Sequence, residues 1–357
     1  MDWVIIASLF SFIPGMHPNT YCSLFYYSEL IGYVIGFTMI MSVLGIVLFS
    51  TSSDSTVGPF VYRLFQQDRG YVYQYLLFML IGMGFGVLIG DLYEIVQQLK
   101  NYRYFIYSIV IFIIIYILIR KNIKFSLGFL ISGLWGLMVI DEKYMFHIFA
   151  GMFGLVYLFN SLIDNQNNKG SAKSKSTNID INIDSILYMI LGIVVGYFSL
   201  IFPGVSSPSI FGSLFIAIPN PSQYIYYYST LIGFQSTASI YYYYYTGNIR
   251  NGYVTCINST EKLLQMFIGI ILGTAVLFII VKYLGSITIP KFIYLIVAFI
   301  ILGYSYISEG VFGVFITFGS AIVSYINQVY LRAGADANMG VIAIPTLYLI
   351  IRFFIQY

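Results

Sequence analysis

Two proline-glycine pairs, each set in an apolar stretch, are the residues of this sequence whose types and spacing could do chemistry. The first pair follows the apolar residues 5–13 and opens the segment 14–20, which reads PGMHPNT. The second follows the apolar residues 186–202 and opens the segment 203–209, which reads PGVSSPS. Proline removes a backbone donor and glycine adopts angles that other residues avoid, so each pair predicts an opened helix.

The chemistry that such breaks favour is anion binding. Lipid offers no partners for backbone groups, so a break survives in a membrane only where it is buried in protein or lines a wet cavity. A helix that begins after the break points free N–H groups and its positive dipole end at the gap. We therefore predict one anion site where the two breaks meet, built from Pro14, Gly15, His17, Asn19, Thr20, Pro203, Gly204, Ser206, Ser207 and Ser209. The competing interpretation is that each pair only kinks a helix or forms a surface turn.

A second set of polar residues could line the same cavity. Ser52 and Ser53 directly follow an apolar span, and Gln235, Ser236 and Thr237 hold the corresponding position in the second part of the chain. The alternative, given equal weight, is an ordinary interfacial loop for the first group and helix-packing hydroxyls for the second.

Two ionisable residues have an apolar setting. Glu29 follows the first break in an apolar and aromatic context, and intramembrane carboxylates are functional candidates by default. It is our candidate for ion coupling, with Na+ or H+ as the coupling cation. His147 also has apolar neighbours, and we interpret it as a packed core histidine.

The composition shows which elements must position these residues. Of the 357 residues, 59% are hydrophobic and only 9% are charged, whereas a soluble domain carries about 25% charged residues. The apolar runs are continuous and approach the roughly 20 residues that one span needs, which favours helices over barrel strands. We predict an all-α, multi-pass protein of the cell membrane with the lipid bilayer as its surroundings. A net charge of +3, spread thinly, gives no basic face for nucleic acid.

The chain divides into two similar halves. The polar, Asn/Ser/Lys-rich residues 164–182 predict a linker between a first transmembrane repeat, 1–163, and a second, 183–357. Besides the Pro-Gly pairs, residues 69–72 (RGYV) match 251–254 (NGYV), and residues 149–154 match 336–340 more weakly.

Each half is predicted to hold a broken hairpin and five further spans. The hairpins cover 3–30 and 186–219, and the spans lie near 32–51, 73–97, 103–120, 124–140 and 144–162, then 223–245, 262–284, 290–306, 308–330 and 338–356. If each hairpin re-enters on its own side, five spans per half make the repeats inverted, a recurring plan of secondary transporters. If a hairpin crosses fully, this parity argument fails. With five spans per half, the linker shares a side with Arg63, Arg69 and the basic residues at 120–124, which we predict to be cytoplasmic.

No catalytic motif emerges. The sequence has no HExxH, nucleophile elbow, P-loop or cysteine cluster, so we predict neither an enzyme nor a bound metal or cofactor. Cys22 and Cys256 lack metal-like spacing and lie beside apolar stretches. We interpret them as separate buried thiols rather than a disulfide.

The two break segments and the ending 338–346, which reads NMGVIAIPT, together resemble the archaeal branch of the large membrane subunit of tripartite tricarboxylate transporters. The residues around 69–70, 250–252 and 151–154 are similar as well, so the resemblance spans most of the chain outside the linker. It implies a permease with duplicated halves whose substrate lies at the two Pro-Gly hairpins. Members of that family work with a small membrane subunit and a carboxylate-capturing binding protein, whereas archaeal relatives often look freestanding, so neither partner is assured.

The second break departs from the first. It carries two serines before its second proline, where the first break has only His17 before Pro18, and this leaves citrate-like specificity open. Residues 203–206 (PGVS) are also similar to the PGVSG-type motif of polyprenyl-phosphate translocases, which have duplicated halves too. The first break fits that family less well.

These observations give two expected functions. The leading hypothesis is a secondary transporter for a small, carboxylate-like organic anion held between the hairpin tips. The alternative is a translocase for a lipid phosphate that uses the same paired hairpins, and a purely structural membrane scaffold is the third class. The sequence leaves the substrate and any homo-oligomeric state open.

Overall fold

The computed structural model describes the helical core of the chain. The described residues are 18–49, 70–89, 103–139, 141–163, 182–200, 221–247, 251–283, 290–334, 337–338 and 340–356, with isolated positions at 11, 61, 64, 65, 68 and 249. Within these ranges every regular element is helical. The all-α prediction is therefore confirmed for the part of the chain that the structure describes.

The described residues form twelve α-helices. They are α1 Pro18–Phe25, α2 Ile31–Phe49, α3 Gly70–Ile89, α4 Arg103–Arg120, α5 Ile123–Val139, α6 Met145–Phe149, α7 Val156–Ile163, α8 Ile183–Ser199, α9 Pro221–Thr246, α10 Thr260–Tyr283, α11 Lys291–Tyr325 and α12 Gly340–Gln356. Two π-helical segments, Ala150–Leu155 between α6 and α7 and Ile326–Tyr330 after α11, interrupt the regular pattern. Short 3-10 turns lie at Glu142–Tyr144 and Gly252–Thr255.

Four helical segments of the described chain are long and apolar enough to cross a bilayer. They are Ile31–Leu48, Gly70–Ile89, Thr260–Tyr283 and Lys291–Tyr330. Many of the large side chains on α4, α10 and α11 that face outward are apolar, including Phe112, Ile271 and Phe299. A surface of this kind suits lipid rather than water.

Helix α11 is not straight, because it bends sharply at residues 309–310 and so forms two arms. Glu309 and Gly310 leave the helical conformation, and Gly310 adopts a φ of +61°, which glycine tolerates and other residues avoid. Ser305 and Thr317, twelve residues apart, share a 2.9 Å hydroxyl contact across this turn. The first arm, residues 291–308, and the second arm, residues 311–325, correspond to the two predicted spans 290–306 and 308–330, with Glu309 in the turn.

Helix α2 packs side by side with α10, and the two run in the same direction. Glycines set the spacing: a Cβ at Gly32 would collide with Gln265, and one at Gly273 would touch the backbone of Phe37. Contact positions therefore advance together along both helices. Small residues of this kind allow the close approach on which helix packing in membranes relies.

The same geometry joins α3 to α9. A Cβ at Gly82 would collide with the backbone of Thr230, and one at Gly86 would collide with the side chain of Thr237. The Thr237 hydroxyl donates a 2.8 Å hydrogen bond to the Met83 carbonyl across this interface. These two helices are therefore also parallel.

A second pair of interfaces repeats this arrangement further along the chain. In α5 and α12, a Cβ at Gly340 would collide with the backbone of Phe129, and one at Gly133 would collide with the side chain of Ile344. The Tyr107 ring of α4 contacts the Phe354 ring near the end of α12. The contacts advance together, so α5 and α12 are parallel.

The unit formed by α6, the first π segment and α7 lies between the arms of α11. Along the second arm, His147 lies against Gly313 and the Met152 carbonyl accepts a 2.7 Å hydrogen bond from Ser324, so the two run in parallel. The first arm runs the other way, because Lys291 at its beginning donates a hydrogen bond to the carbonyl of Leu162, near the end of α7.

Helices α8 and α9 begin at the same end of the bundle. Gln223 donates a 3.2 Å hydrogen bond to Asp184, and a Cβ at Gly192 would meet the carbonyl of Tyr227. Because these helices are parallel, Leu200 and Pro221 lie at opposite ends of the pair. The residues between them, which contain the second Pro-Gly break, lie outside the described residues.

The expectation for the two cysteines is wrong. Cys22 and Cys256 form a disulfide with their Cα atoms 5.9 Å apart, between α1 and the residues that follow the Gly252–Thr255 turn. They are 234 residues apart in sequence, and only the parallel packing of α2 with α10 brings the beginnings of these helices together. We call the end of the bundle that carries this bond the disulfide end.

Candidate functional site

Most of the predicted anion-binding residues lie outside the described part of the chain. These are Pro14, Gly15, His17, Pro203, Gly204, Ser206, Ser207 and Ser209, together with the cavity candidates Ser52 and Ser53. Whether the two breaks meet therefore stays a prediction. Asn19, Glu29, Gln235, Ser236 and Thr237 are described, and Thr20 is described for its backbone alone.

Asn19 is the predicted site residue with the most informative contacts. Helix α1 begins at Pro18, within the first break segment, and proline is well suited to the first position of a helix. The Asn19 side-chain oxygen accepts a 2.9 Å hydrogen bond from the backbone N–H of Tyr253. Gly252 lies alongside, since a Cβ placed there would be 3.4 Å from the Asn19 side chain. The residues after the first break are thus attached to a loop of the second half.

That loop is attached in turn to the polar part of α9. The Tyr253 hydroxyl donates a 2.6 Å hydrogen bond to the carbonyl of Ser236. The Asn251 amide donates to the Ser239 hydroxyl over 3.1 Å. Asn19, the 251–253 loop and the Ser236–Ser239 region therefore form one polar cluster at the disulfide end, which we call the loop cluster.

The hydroxyls of α9 bond mainly to backbone atoms. Ser236 donates to the Ile232 carbonyl of its own helix, and Thr237 donates to the neighbouring helix at Met83. Gln235 is buried. This geometry matches the helix-packing interpretation of these residues better than the cavity interpretation.

Glu29 lies in the turn between α1 and α2 and is exposed. The neighbouring Ser28 closes this turn by accepting a backbone hydrogen bond from Leu30 on its hydroxyl. The carboxylate is therefore at the disulfide end of the bundle rather than among packed helices. An ion-coupling role for Glu29 would have to operate at that edge.

A buried polar network lies where the two π segments approach each other, and the sequence reasoning did not single it out. Asn327 donates 2.7 Å hydrogen bonds to Ser132 and to the side-chain oxygen of Asn338, and Asn338 donates to Ser324 over 2.6 Å. Ser324 donates to Met152, so α5, the end of α11, the first π segment and the start of α12 are all joined. The sequence signal that could have indicated this network is the group of polar residues within an apolar stretch at 324–328.

Replacing Asn327 with alanine is expected to destabilise the folded protein by about 1–3 kcal/mol. The change removes two buried donors and leaves their acceptors on Ser132 and Asn338 without a partner. Thermal unfolding in detergent measures the effect. The matched control is Gln328→Ala, since Gln328 is only partly buried and donates a single side-chain bond to Ser324. An equal loss in both variants would contradict the special role of Asn327.

The described residues hold no group of three or more His, Cys, Asp or Glu side chains placed to bind a metal ion. No family model, curated protein or solved structure matches the chain. The resemblance to the tripartite tricarboxylate permeases therefore rests on the short motifs alone.

Proposed function

We propose that this chain is a multi-pass membrane transporter for a small organic anion, built from two inverted repeats and requiring no enzymatic step. The observation that carries the proposal is the reciprocal pairing of helices between the halves. The first predicted span of one half packs on the second of the other, since α2 packs on α10 and α9 on α3. The fourth and fifth spans exchange partners in the same way through α5 with α12 and α6–α7 with α11.

The direction of these pairs supports inversion. Successive spans of one chain run in opposite directions through a bilayer. If both halves entered from the same side, the first span of one half would be antiparallel to the second span of the other. All four exchanged pairs are parallel, as expected when the halves enter from opposite sides. Inverted repeats with broken helices near the pseudo-symmetry axis are a recurring plan of secondary transporters.

The loop cluster supports a role for the first break in this plan. Asn19 follows the first Pro-Gly pair by a few residues and accepts a hydrogen bond from the backbone N–H of Tyr253. The disulfide joins Cys22 to Cys256 nearby. A helix fixed at both points would hold the N–H groups at its beginning in a defined direction. Such pre-organised donors, together with those of the second break, would suit a carboxylate.

Charge and redox chemistry support one orientation. Helix α10 begins at the disulfide end, so Lys282 near its end lies at the opposite end, and Lys291 follows close by beside Leu162. The described residues on either side of the linker, Ile163 and Asn182, lie at that same opposite end, and the linker sequence contains Lys169, Lys173 and Lys175. Basic residues favour the cytoplasmic side, and disulfides persist in oxidising surroundings. Both rules therefore support an orientation with the disulfide end outside the cell.

One observation favours the second candidate, a lipid-phosphate translocase. An apolar groove of about 630 Å³ opens between α3 and α10 and is lined by Leu80, Ile271, Thr274, Ala275, Phe278 and Ile279. The only polar group in this lining, the Thr274 hydroxyl, donates to the Ile270 carbonyl of its own helix. Such a groove suits a hydrocarbon chain better than a carboxylate.

Bulky substitutions at the breaks test the proposal. In proteoliposomes, Gly15→Leu and Gly204→Leu are expected to reduce uptake of labelled di- and tricarboxylates by at least about tenfold, because each side chain would occupy the space that the opened backbone needs. The matched control is Gly303→Leu, where a new Cβ would meet no atom within 4 Å. Full uptake by both break variants would refute the transport site.

A parallel assay separates the two candidates. Movement of a polyprenyl phosphate between leaflets, with no carboxylate uptake, would favour the translocase. Carboxylate uptake that is insensitive to added polyprenyl phosphate would favour the anion transporter.

A further inference from the structure

His147 is an ionisable residue that the proposed function leaves unused. Its side chain is 1% exposed, between α6 and the second arm of α11. Among the side chains whose burial the structure describes, no other His, Asp, Glu, Lys or Arg is buried. Ionisable groups buried among membrane-spanning segments are uncommon and are typically functional.

Both ring nitrogens of His147 face hydroxyl groups of the α11 turn. Nε2 lies 3.3 Å from the Ser308 hydroxyl, and Nδ1 lies 3.5 Å from the Thr317 hydroxyl. Each hydroxyl also has a backbone acceptor: Ser308 reaches the Ser305 carbonyl at 3.3 Å, and Thr317 reaches the Gly313 carbonyl at 2.8 Å. Each can therefore direct its own proton away from the ring and accept one from it.

This arrangement can serve both protonation states of the imidazole. The charged ring carries two N–H donors, and the neutral ring carries one donor and one acceptor. When both hydroxyls donate their hydrogen bonds to the backbone carbonyls, their oxygens can accept from the two ring N–H groups. This arrangement suits the charged form of the ring. Rotation of one hydroxyl toward the ring converts it into a donor and suits the neutral form. The change needs no movement of the helices.

Charged and titratable groups surround the site from each neighbouring element. Glu309 in the α11 turn and the His147 ring lie against the same glycine, since a Cβ at Gly313 would be 2.9 Å from the Glu309 Cβ and 3.0 Å from the ring. Tyr144 of the preceding 3-10 turn has its ring centroid 6.2 Å from that of His147. Lys143, which is exposed, lies over the Tyr144 ring with its Nζ 4.6 Å from the ring centroid. Tyr304 of the first arm packs on Phe146 beside the histidine.

We propose that His147, Ser308, Thr317 and Glu309 form a proton-binding site at the turn of α11, and that this site couples proton binding to transport. The coupling part rests on the proposed function, whereas proton binding does not. The first arm begins at Lys291, opposite the disulfide end, so the turn at Glu309 and Gly310 lies toward the disulfide end. In the proposed orientation a proton would thus arrive from outside the cell, the direction expected for proton-driven uptake.

Proton binding can be measured without any transport assay. The chain has only two histidines, so a His17→Gln variant with ring-labelled histidine gives an NMR signal from His147 alone. In detergent, this signal is expected to move reversibly from the neutral to the charged position as the pH is lowered. Glu309→Gln is expected to change the midpoint of this titration, because it removes the neighbouring carboxylate. A ring that stays neutral down to the acid unfolding of the protein overturns the proposal.

Coupling is tested by the pH profile of uptake. For the unmodified chain, uptake is expected to fall by up to about tenfold per pH unit above the His147 midpoint, as for a single titrating group. His147→Gln is expected to flatten this profile while the protein stays folded. An unchanged profile in His147→Gln refutes coupling through this residue.

The two proposals fail in distinguishable ways. Repeating the NMR titration on Gly204→Leu, expected to be inactive in uptake, should give the same midpoint as the unmodified breaks. A retained titration without any uptake in the unmodified chain would count against the transporter and against coupling, but would support the proton site. Uptake without a titrating His147 would support the transporter and overturn the proton site.

Discussion

Replacing Gly82 with leucine is expected to leave little correctly folded protein. Gly82 lies where α3 and α9 touch, and a Cβ there would collide with the backbone at Thr230 and Phe234. Backbone cannot rotate aside as a side chain can, so the two helices would have to separate. We expect a cost of at least about 3 kcal/mol, the upper range for overpacking. Size-exclusion profiles and thermal unfolding in detergent measure the loss.

The same helix supplies the matched control. Gly84 is exposed, and a Cβ there meets no atom within 4 Å. Gly84→Leu makes the identical chemical change two residues away and is expected to leave folding unaltered. Gly233→Leu, from the opposite wall of the interface, should reproduce the defect, since its Cβ would collide with the backbone of Met79. Comparable stability of Gly82→Leu and Gly84→Leu would contradict the α3–α9 packing.

Cutting the chain within the linker is expected to leave its two halves covalently joined. A protease site inserted at residues 164–182 would separate the halves at the peptide level, while Cys22 in the first remains bonded to Cys256 in the second. Denaturing gels should therefore show one species without reductant and two fragments with it. The chain has only two cysteines, so the result reports on this bond alone.

Cys22→Ser provides the control, because its halves should separate with or without reductant. The intact Cys22→Ser chain is expected to lose about 2–4 kcal/mol of stability, the usual contribution of a native disulfide. Two fragments from the unmodified protein under non-reducing conditions would show that the bond is absent. That result would also remove the redox argument that places the disulfide end outside the cell.

The sequence by itself determined the helical class of the structure and the positions of most described helices. Continuous apolar runs with few charges are a local property, and they correctly predicted helices such as Ile31–Phe49 and Pro221–Thr246 within a few residues. The predicted boundary between the spans 290–306 and 308–330 lies within a few residues of the turn that the structure shows at Glu309 and Gly310. The predicted span 73–97 is described as a helix only as far as Ile89.

The partners of each helix were decided by tertiary structure alone. Thr237 was a cavity candidate from its type and position, yet its hydroxyl bonds to α3, more than 150 residues away in sequence. Asn327 and Ser132 gave no local sign that they would meet. Such contacts depend on which helix faces approach, and that is set by glycine spacing on both helices at once.

The Pro-Gly breaks and the disulfide were both judged from chain chemistry alone. That chemistry predicts that residues 14–20 and 203–209 interrupt helices, because proline and glycine act on their own backbone. Helix α1 already begins at Pro18, whereas residues 14–17 and 203–209 lie outside the described residues, so the rest stays a prediction. The same chemistry suggested two separate thiols, and this was wrong. Whether two cysteines bond depends on the distance between their Cα atoms, and here the parallel packing of α2 and α10 sets that distance.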